Sequence, residues 1–94
     1  MTRREATIGS RVGLHARPAA LFVKASAAAG VPVRIGRDGG TMVDARSMLG
    51  VLALGAKNGD TVVLEAEGEG ADEALDSLVA LLAQDHDEPA AAGA

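Results

Sequence analysis

The chain of 94 residues has no cysteine, no tryptophan and no tyrosine, and its one aromatic residue is Phe22. Without cysteine there is no disulfide, zinc–thiolate centre or thiol nucleophile. A single aromatic ring offers little stacking surface for bases, and the net charge is −4, so nucleic-acid binding is disfavoured. No run of about 18 apolar residues occurs, and no apolar stretch follows the charged residues 1–5. We therefore expect a small cytoplasmic protein without export or membrane insertion.

Motifs for nucleotide binding, hydrolysis and metal binding are also missing. There is no P-loop. Ser10 lacks the glycine-flanked turn of a hydrolase nucleophile, and no orienting acid is near it in sequence, which disfavours a Ser10–His15 pair. His86 has no second histidine and no cysteine nearby. We therefore predict no metal and no cofactor.

Basic residues are confined to the first part of the chain. All nine lie at or before Lys57, together with only three acidic residues, whereas ten acidic residues and no basic residue follow. A basic region around residue 15 would attract an acidic partner surface. Its members would be Arg11, Arg17, Lys24 and Arg46. The alternative is that these charges form an ordinary solvated surface.

The most informative stretch is residues 13–19, Gly-Leu-His-Ala-Arg-Pro-Ala. Pro18 suits a first helical turn, because its fixed φ is helical and its missing N–H would have had no partner there. The alanine-rich residues 19–29 contain neither glycine nor proline and should continue as helix. His15 is therefore expected at or beside the N-cap, where unpaired N–H groups and the helix dipole favour an anion.

This arrangement indicates phosphoryl transfer. Imidazole, with an ordinary pKa of about 6.5, is partly neutral at cellular pH, and a neutral ring nitrogen can attack phosphorus. A helix N-terminus favours both the neutral ring and the phosphoryl group once it is attached. Arg17 adds a planar set of donors suited to phosphate oxygens. The alternative is that His15 only caps a helix and Arg17 is a solvated residue.

Residues 13–19 resemble the active-site motif of the HPr family, the histidine-containing phosphocarriers of the phosphoenolpyruvate-dependent sugar phosphotransferase system. Residues 46–55, Arg-Ser-Met-Leu-Gly-Val-Leu-Ala-Leu-Gly, resemble the family's motif around its regulatory serine. Residues 58–60 and 65–68 resemble its last strand and exit turn. The resemblance covers residues 6–84 in the right order and spacing.

This resemblance implies that Nδ1 of His15 accepts a phosphoryl group from enzyme I and passes it to enzyme IIA domains. Arg17 would orient and neutralise the group, with backbone N–H groups of Ala16 and Arg17 donating to its oxygens. The protein would be a monomeric cytoplasmic carrier that turns over nothing alone, not an enzyme.

Other functions stay open. One is an HPr-like regulatory module acting through the helix at Ser47; such relatives can lose the histidine that is present here. Another is a domain that senses a small ligand, although no binding motif supports it. The motifs also do not separate sugar uptake from a paralogous chain serving nitrogen regulation or dihydroxyacetone phosphorylation.

Local patterns predict the order β-α-β-β-α-β-α and hence an α+β fold. Gly30 should end the first helix, and Pro32 should either delay the next strand or lie where its missing N–H does no harm. Strands are expected at residues 2–9, 31–37, 41–44 and 61–67, and helices at 16–29, 48–54 and from 71 onward. The apolar face of the last helix is Ala71, Ala74, Leu75, Leu78, Val79 and Leu82.

The family resemblance specifies the architecture further. It implies an open-faced β-sandwich, with three helices on one face of a four-stranded antiparallel sheet. Residues 1–84 would form this single HPr-like domain. Residues 85–94 have nothing to bury, and we predict a disordered tail.

Ser47 is a good N-cap for the short second helix, which is more apolar than one buried face requires. By resemblance, its exposed residues and part of the first helix would contact partners. The docking residues would be Ala16, Ala20, Lys24, Met48, Leu49 and Leu52. Ser47 also matches the serine that a dedicated kinase phosphorylates in some members, where a phosphate would weaken acidic partners. Arg46 and Ala53 replace the lysine and serine of many members, which disfavours kinase recognition.

Overall fold

The computed structural model describes residues 1–84, and the predicted tail at 85–94 lies outside the described residues. The elements are β1 (Thr2–Thr7), α1 (Ala16–Ala27), β2 (Val33–Arg37), β3 (Val43–Asp44), α2 (Met48–Ala53), β4 (Thr61–Ala66) and α3 (Ala71–Ala83). The predicted element order and the open-faced α+β fold are confirmed. In the described part of the chain, no helix is long and apolar enough to cross a membrane.

The four strands form one antiparallel sheet in the order β1-β4-β2-β3. β4 is central: it pairs with β1 from Thr2↔Ala66 to Thr7↔Thr61, and with β2 on its other side. This register places the end of β1 beside the start of β4. The loop that leads to His15 therefore begins next to the turn that precedes β4.

Most elements end one or two residues before their predicted limits. α1 ends at Ala27, since the Ala29 N–H donates to the carbonyl of Ser26, only three residues back. Such tightening is typical of a final helical turn. β2 begins at Val33, after Pro32 and two residues later than the predicted strand 31–37, so of the two possibilities for Pro32 the late start is the one observed.

β3 begins at Val43, two residues later than expected, because the chain before it crosses over Gly36 of β2. A Cβ on Gly36 would lie 2.6 Å from Sδ of Met42 and 2.8 Å from the carbonyl oxygen of Thr41. The glycine permits this approach, and residues 41 and 42 fold over the strand instead of pairing beside it.

The core lies between the sheet and the helices, with Phe22 of α1 fully buried in it. α3 packs against β1 and β4, and α1 packs against α2 and α3. The predicted apolar face of α3 is confirmed: Ala71, Leu75, Leu78 and Leu82 are buried, and Ala74 and Val79 are partly buried. This packing fixes the N-terminus of α1 relative to α2.

Candidate functional site

His15 is the N-cap of α1, as predicted, with extended backbone dihedrals (φ −97°, ψ −169°) and a half-buried side chain. Its carbonyl accepts the first helical hydrogen bond, from Ala19 N at 3.0 Å. The N–H groups of Ala16 and Arg17 precede that bond, so helix geometry gives them no acceptor. The His15 side chain makes no cap hydrogen bond, which argues against a role only as a helix cap.

The backbone of His15 is anchored on both sides. On one side Leu14 is buried, and its N–H donates to the Ala56 carbonyl at 2.9 Å. On the other side Pro18 and Ala19 are buried in the face that α1 turns to the core. Because these anchors belong to the core, they limit the freedom of the histidine between them.

Gly13 makes the contact with Ala56 possible. Its φ is +82°, and a Cβ there would lie 2.8 Å from the Ala56 carbonyl oxygen. Any other residue would be strained at this φ and would push against the carbonyl that receives Leu14.

The part played by Ala56 was not found from the sequence. Ala56 precedes the turn at residues 57–60, which is bonded to the end of β1: Gly59 N donates to Ile8 O, and Ile8 N donates to Asp60 O, each at 2.9 Å. An alanine that supplies a backbone carbonyl carries no local signal. Only the sheet, which brings β1 and β4 together, shows that this turn supports the His15 loop.

Arg17 and Lys24 lie on the exposed face of α1, and neither forms an ion pair with a residue in the 1–84 range. The exposed residues recur at helical spacing. They are Ala16, Arg17, Ala20, Leu21, Lys24 and Ala27. The partial positive charge of the helix N-terminus and the Arg17 guanidinium therefore belong to the same end of α1.

Several other basic residues are compensated by the acidic part of the chain. Arg4 bonds to Asp72 at 2.8 Å and to Asp76 at 3.1 Å, which joins β1 to the start of α3. The hydrogen bonds that Arg4 donates to Asp76 and to Asp72 raise the pKa of Arg4. Folding thus pairs some basic residues of the first part of the chain with acidic residues that follow Lys57.

Arg46 contributes less to the predicted basic region than expected. Its Nε and Nη2 atoms contact the two carboxylate oxygens of Asp44 at 3.2 and 3.1 Å, and its backbone N–H donates to the same carboxylate at 2.8 Å. These hydrogen bonds hold the pKa of Asp44 below its ordinary value and raise that of Arg46. The Arg46 charge is therefore offset locally.

α2 presents one large apolar side chain to solvent. Leu49 is 82% exposed, whereas Met48 and Leu52 are half-buried against the core. Ser47 is the N-cap, as predicted, and its Oγ accepts a hydrogen bond from Gly50 N at 3.0 Å. The helix that carries Leu49 packs against α1, which carries the exposed residues Ala16 and Ala20.

Leu21 of α1, which is 40% exposed, was not predicted as a surface residue. Its side chain lies on the solvent face at helical spacing from Arg17 and Lys24. A leucine in a helix is typical of a core residue, so the residue type at this position did not indicate that Leu21 is exposed.

The remaining candidates do not form a second site. Ser10 is completely buried, which places its hydroxyl out of reach of a substrate. Within residues 1–84, no three histidine, cysteine or acidic side chains are grouped so that they could hold a metal ion. His86 lies outside the described residues.

Comparison with known proteins identifies the family. Residues 2–84 match the family model PTS-HPr, described as the PTS HPr component phosphorylation site. The phosphocarrier protein HPr of Streptomyces coelicolor is 49% identical over 84 residues, which are 89% of this chain and 90% of that protein. This chain therefore belongs to the HPr family of phosphocarrier proteins of the phosphotransferase system.

Solved structures agree with this assignment. The crystal structure of HPr from Bacillus anthracis superposes with a TM-score of 0.79 at 33% identity, covering 86% of this chain and 95% of that one. The Bacillus subtilis catabolite repression protein Crh, described as a dimer with a swapped domain, gives a TM-score of 0.67 at 36% identity. This superposition covers 87% of this chain and 93% of Crh.

Proposed function

We propose that His15 carries a phosphoryl group from phosphorylated enzyme I to enzyme IIA domains in phosphoenolpyruvate-dependent sugar uptake. The observation that supports this most directly is the position of His15, an anchored N-cap residue whose ring is not used to cap the helix. The family assignment supports the same role and a cytoplasmic location.

In the proposed reaction a neutral ring nitrogen of His15, Nδ1 by resemblance to the family, attacks the phosphorus of a donor phosphohistidine. A nitrogen–phosphorus bond forms as the bond to the donor nitrogen breaks, so no water or cofactor is consumed. The N–H groups of Ala16 and Arg17 and the guanidinium of Arg17 stabilise the charge on the phosphoryl oxygens. Transfer to the acceptor repeats the exchange in reverse, and the carrier has no turnover of its own.

Partner docking would use the exposed faces of α1 and α2. Leu49, Ala16 and Ala20 offer apolar surface, and Lys24 and Arg17 add positive charge at its edge. Met48 and Leu52 are half-buried and would contribute less area than the resemblance implies. An acidic partner with an apolar patch fits this surface.

Two further expectations remain proposals. Ser47 is partly buried and already caps α2, so phosphorylation by a kinase would replace the hydrogen bond to Gly50 N. The second is the monomer expected from the sequence, which we propose for this chain, whereas the relative Crh is described as a dimer with a swapped domain. Sedimentation at several concentrations would decide the oligomeric state.

A regulatory module is the second candidate function, and the likeness to Crh favours it. In that role the α2 surface would act on a regulator, and His15 would be dispensable. A strain carrying His15→Ala with intact sugar uptake but altered regulation would support this candidate over the carrier.

The deciding experiment incubates the protein with enzyme I and radiolabelled phosphoenolpyruvate. We expect one acid-labile, base-stable label per chain, absent from His15→Ala and much slower to form in Arg17→Ala. His15→Gln serves as a second variant of similar size. Failure of the wild-type protein to take label, or undiminished label on His15→Ala, would refute the proposal.

A further inference from the structure

Arg37, the last residue of β2, joins two parts of the molecule that the proposed function requires. Its Nη1 donates to the carbonyl of Leu54, the C-cap of α2, at 3.3 Å. Its Nη2 contacts Oδ2 of Asp60 at 3.1 Å. One planar guanidinium therefore holds both ends of the segment 54–60.

Asp60 forms two hydrogen bonds with Lys57, the first residue of the turn at residues 57–60. The same Oδ2 accepts the backbone N–H of Lys57 at 2.9 Å, and Asp60 N donates to the Lys57 carbonyl at the same distance. The Lys57 N–H and then the Arg37 guanidinium hold the pKa of Asp60 below its ordinary value. The carboxylate is thus the point where the turn and the arginine meet.

The segment 54–60 lies between the docking helix and the His15 loop. At its start Leu54 caps α2, and in its middle the Ala56 carbonyl accepts the Leu14 N–H, one residue before His15. A shift of this segment would move Ala56 and, through Leu14, the N-cap of α1.

We propose that Arg37 and Asp60 form a latch that holds the His15 loop and the docking helix α2 in a fixed relative position. Both would be positioning residues, because their contacts are with Leu54, Lys57 and each other and they act through the segment 54–60. The inference rests on the proposed function, since it assumes that α2 docks the protein that exchanges phosphoryl groups with His15.

The latch contributes more to geometry than to stability. The two side chains are 44% and 32% exposed, and ion pairs of that exposure add little to the folding free energy. Its value lies in the forked geometry of arginine, which a lysine cannot reproduce. Loss of the latch should leave the fold intact and loosen the Leu14–Ala56 hydrogen bond.

The test compares Arg37→Ala, Arg37→Lys and Asp60→Asn with the wild type. Arg34→Ala is the matched control, because Arg34 is an exposed arginine of the same strand without an ion pair to any described residue. The first measurement is amide hydrogen exchange at Leu14, with Leu75 of α3 as the core reference. The second is steady-state transfer from enzyme I.

Loss of one hydrogen bond corresponds to about a fivefold change in an equilibrium, so we expect Leu14 exchange about fivefold faster in R37A and D60N. KM for enzyme I should rise by a similar factor while kcat stays within about twofold. R37K should lie between R37A and the wild type, and R34A should match the wild type.

Wild-type exchange at Leu14 in R37A and D60N would overturn the latch, and so would an equal acceleration at Leu75. R37K gives the same comparison should R37A fail to fold. A wild-type protein that takes no label would refute the proposed function instead. The exchange rates would then still decide whether the latch exists.

Discussion

Gly13→Ala tests how the His15 loop is held. Alanine at the φ of +82° found here costs about 1–2 kcal/mol, because its Cβ crowds the following carbonyl. The new Cβ would also lie 2.8 Å from the Ala56 carbonyl oxygen, which must move away. That movement weakens the Leu14–Ala56 hydrogen bond, a further loss of about 1 kcal/mol.

Together these effects lower the free energy of unfolding by about 2–3 kcal/mol, or the Tm by about 10–20 °C for a domain of this size. Thermal and urea unfolding followed by circular dichroism measure the change. The rate of phosphoryl uptake should fall as well, because the displaced carbonyl supports the residue before His15.

Gly39→Ala is the matched control. Gly39 has a similar φ of +77°, but a Cβ there would meet nothing within 4 Å. This variant should therefore lose only the conformational part, about 1–2 kcal/mol, and keep its rate of phosphoryl uptake. Equal losses in the two variants would refute the argument that contact with Ala56 makes glycine necessary at residue 13.

Three further predictions concern docking, capping and acid stability. Leu49→Ser should change the free energy of unfolding by less than about 0.5 kcal/mol, since Leu49 is 82% exposed. The same variant should raise KM for enzyme I about fivefold in steady-state assays. An unchanged KM would show that Leu49 is not part of the docking surface. Ser47→Ala should lower the free energy of unfolding in urea by about 1 kcal/mol. Ser47→Asp should lose much less, because only the aspartate keeps an acceptor for the N–H of Gly50. Equal losses in the two variants would contradict the role of Ser47 as a cap. Hydrogen bonds from the Arg46 side chain and from the Lys57 N–H hold the pKa values of Asp44 and Asp60, respectively, below the ordinary aspartate range. The stabilisation they give is therefore present above that range and is lost as pH falls through the folded-state values. Asp60→Asn should accordingly flatten the fall of the unfolding free energy in acid titrations of stability, and a slope as steep as that of the wild type would show that Asp60 is not responsible.

The predictions that succeeded were those with a local physical cause. Pro18 and the alanines after it favour helix through backbone geometry alone, and Ser47 caps α2 with its own hydroxyl. The period of the apolar residues identified the face of α3 for the same reason. Such signals depend on residues at most a few positions apart.

The predictions that needed correction involved contacts within residues 36–46, the region of β2 and β3. Arg46 was expected to belong to a basic region around residue 15, but Asp44 at the end of β3 offsets its charge locally. The short β3 reflects residues 41 and 42 folding over Gly36, which an alternating pattern does not reveal. Both outcomes depend on contacts inside this region of the folded chain.

The sequence by itself determined that a histidine and an arginine stand at the start of a helix, because helix propensity, the proline and the cap position act within one turn. Only the tertiary structure decided what holds His15 in place. The Ala56 carbonyl and the Arg37–Asp60 latch reach it across separations of tens of residues, through a sheet that sets the end of β1 beside the start of β4. A backbone carbonyl is chemically the same at every residue, and a charged side chain can pair with any opposite charge. The residue types therefore do not identify these partners, which are fixed only when the chain has folded.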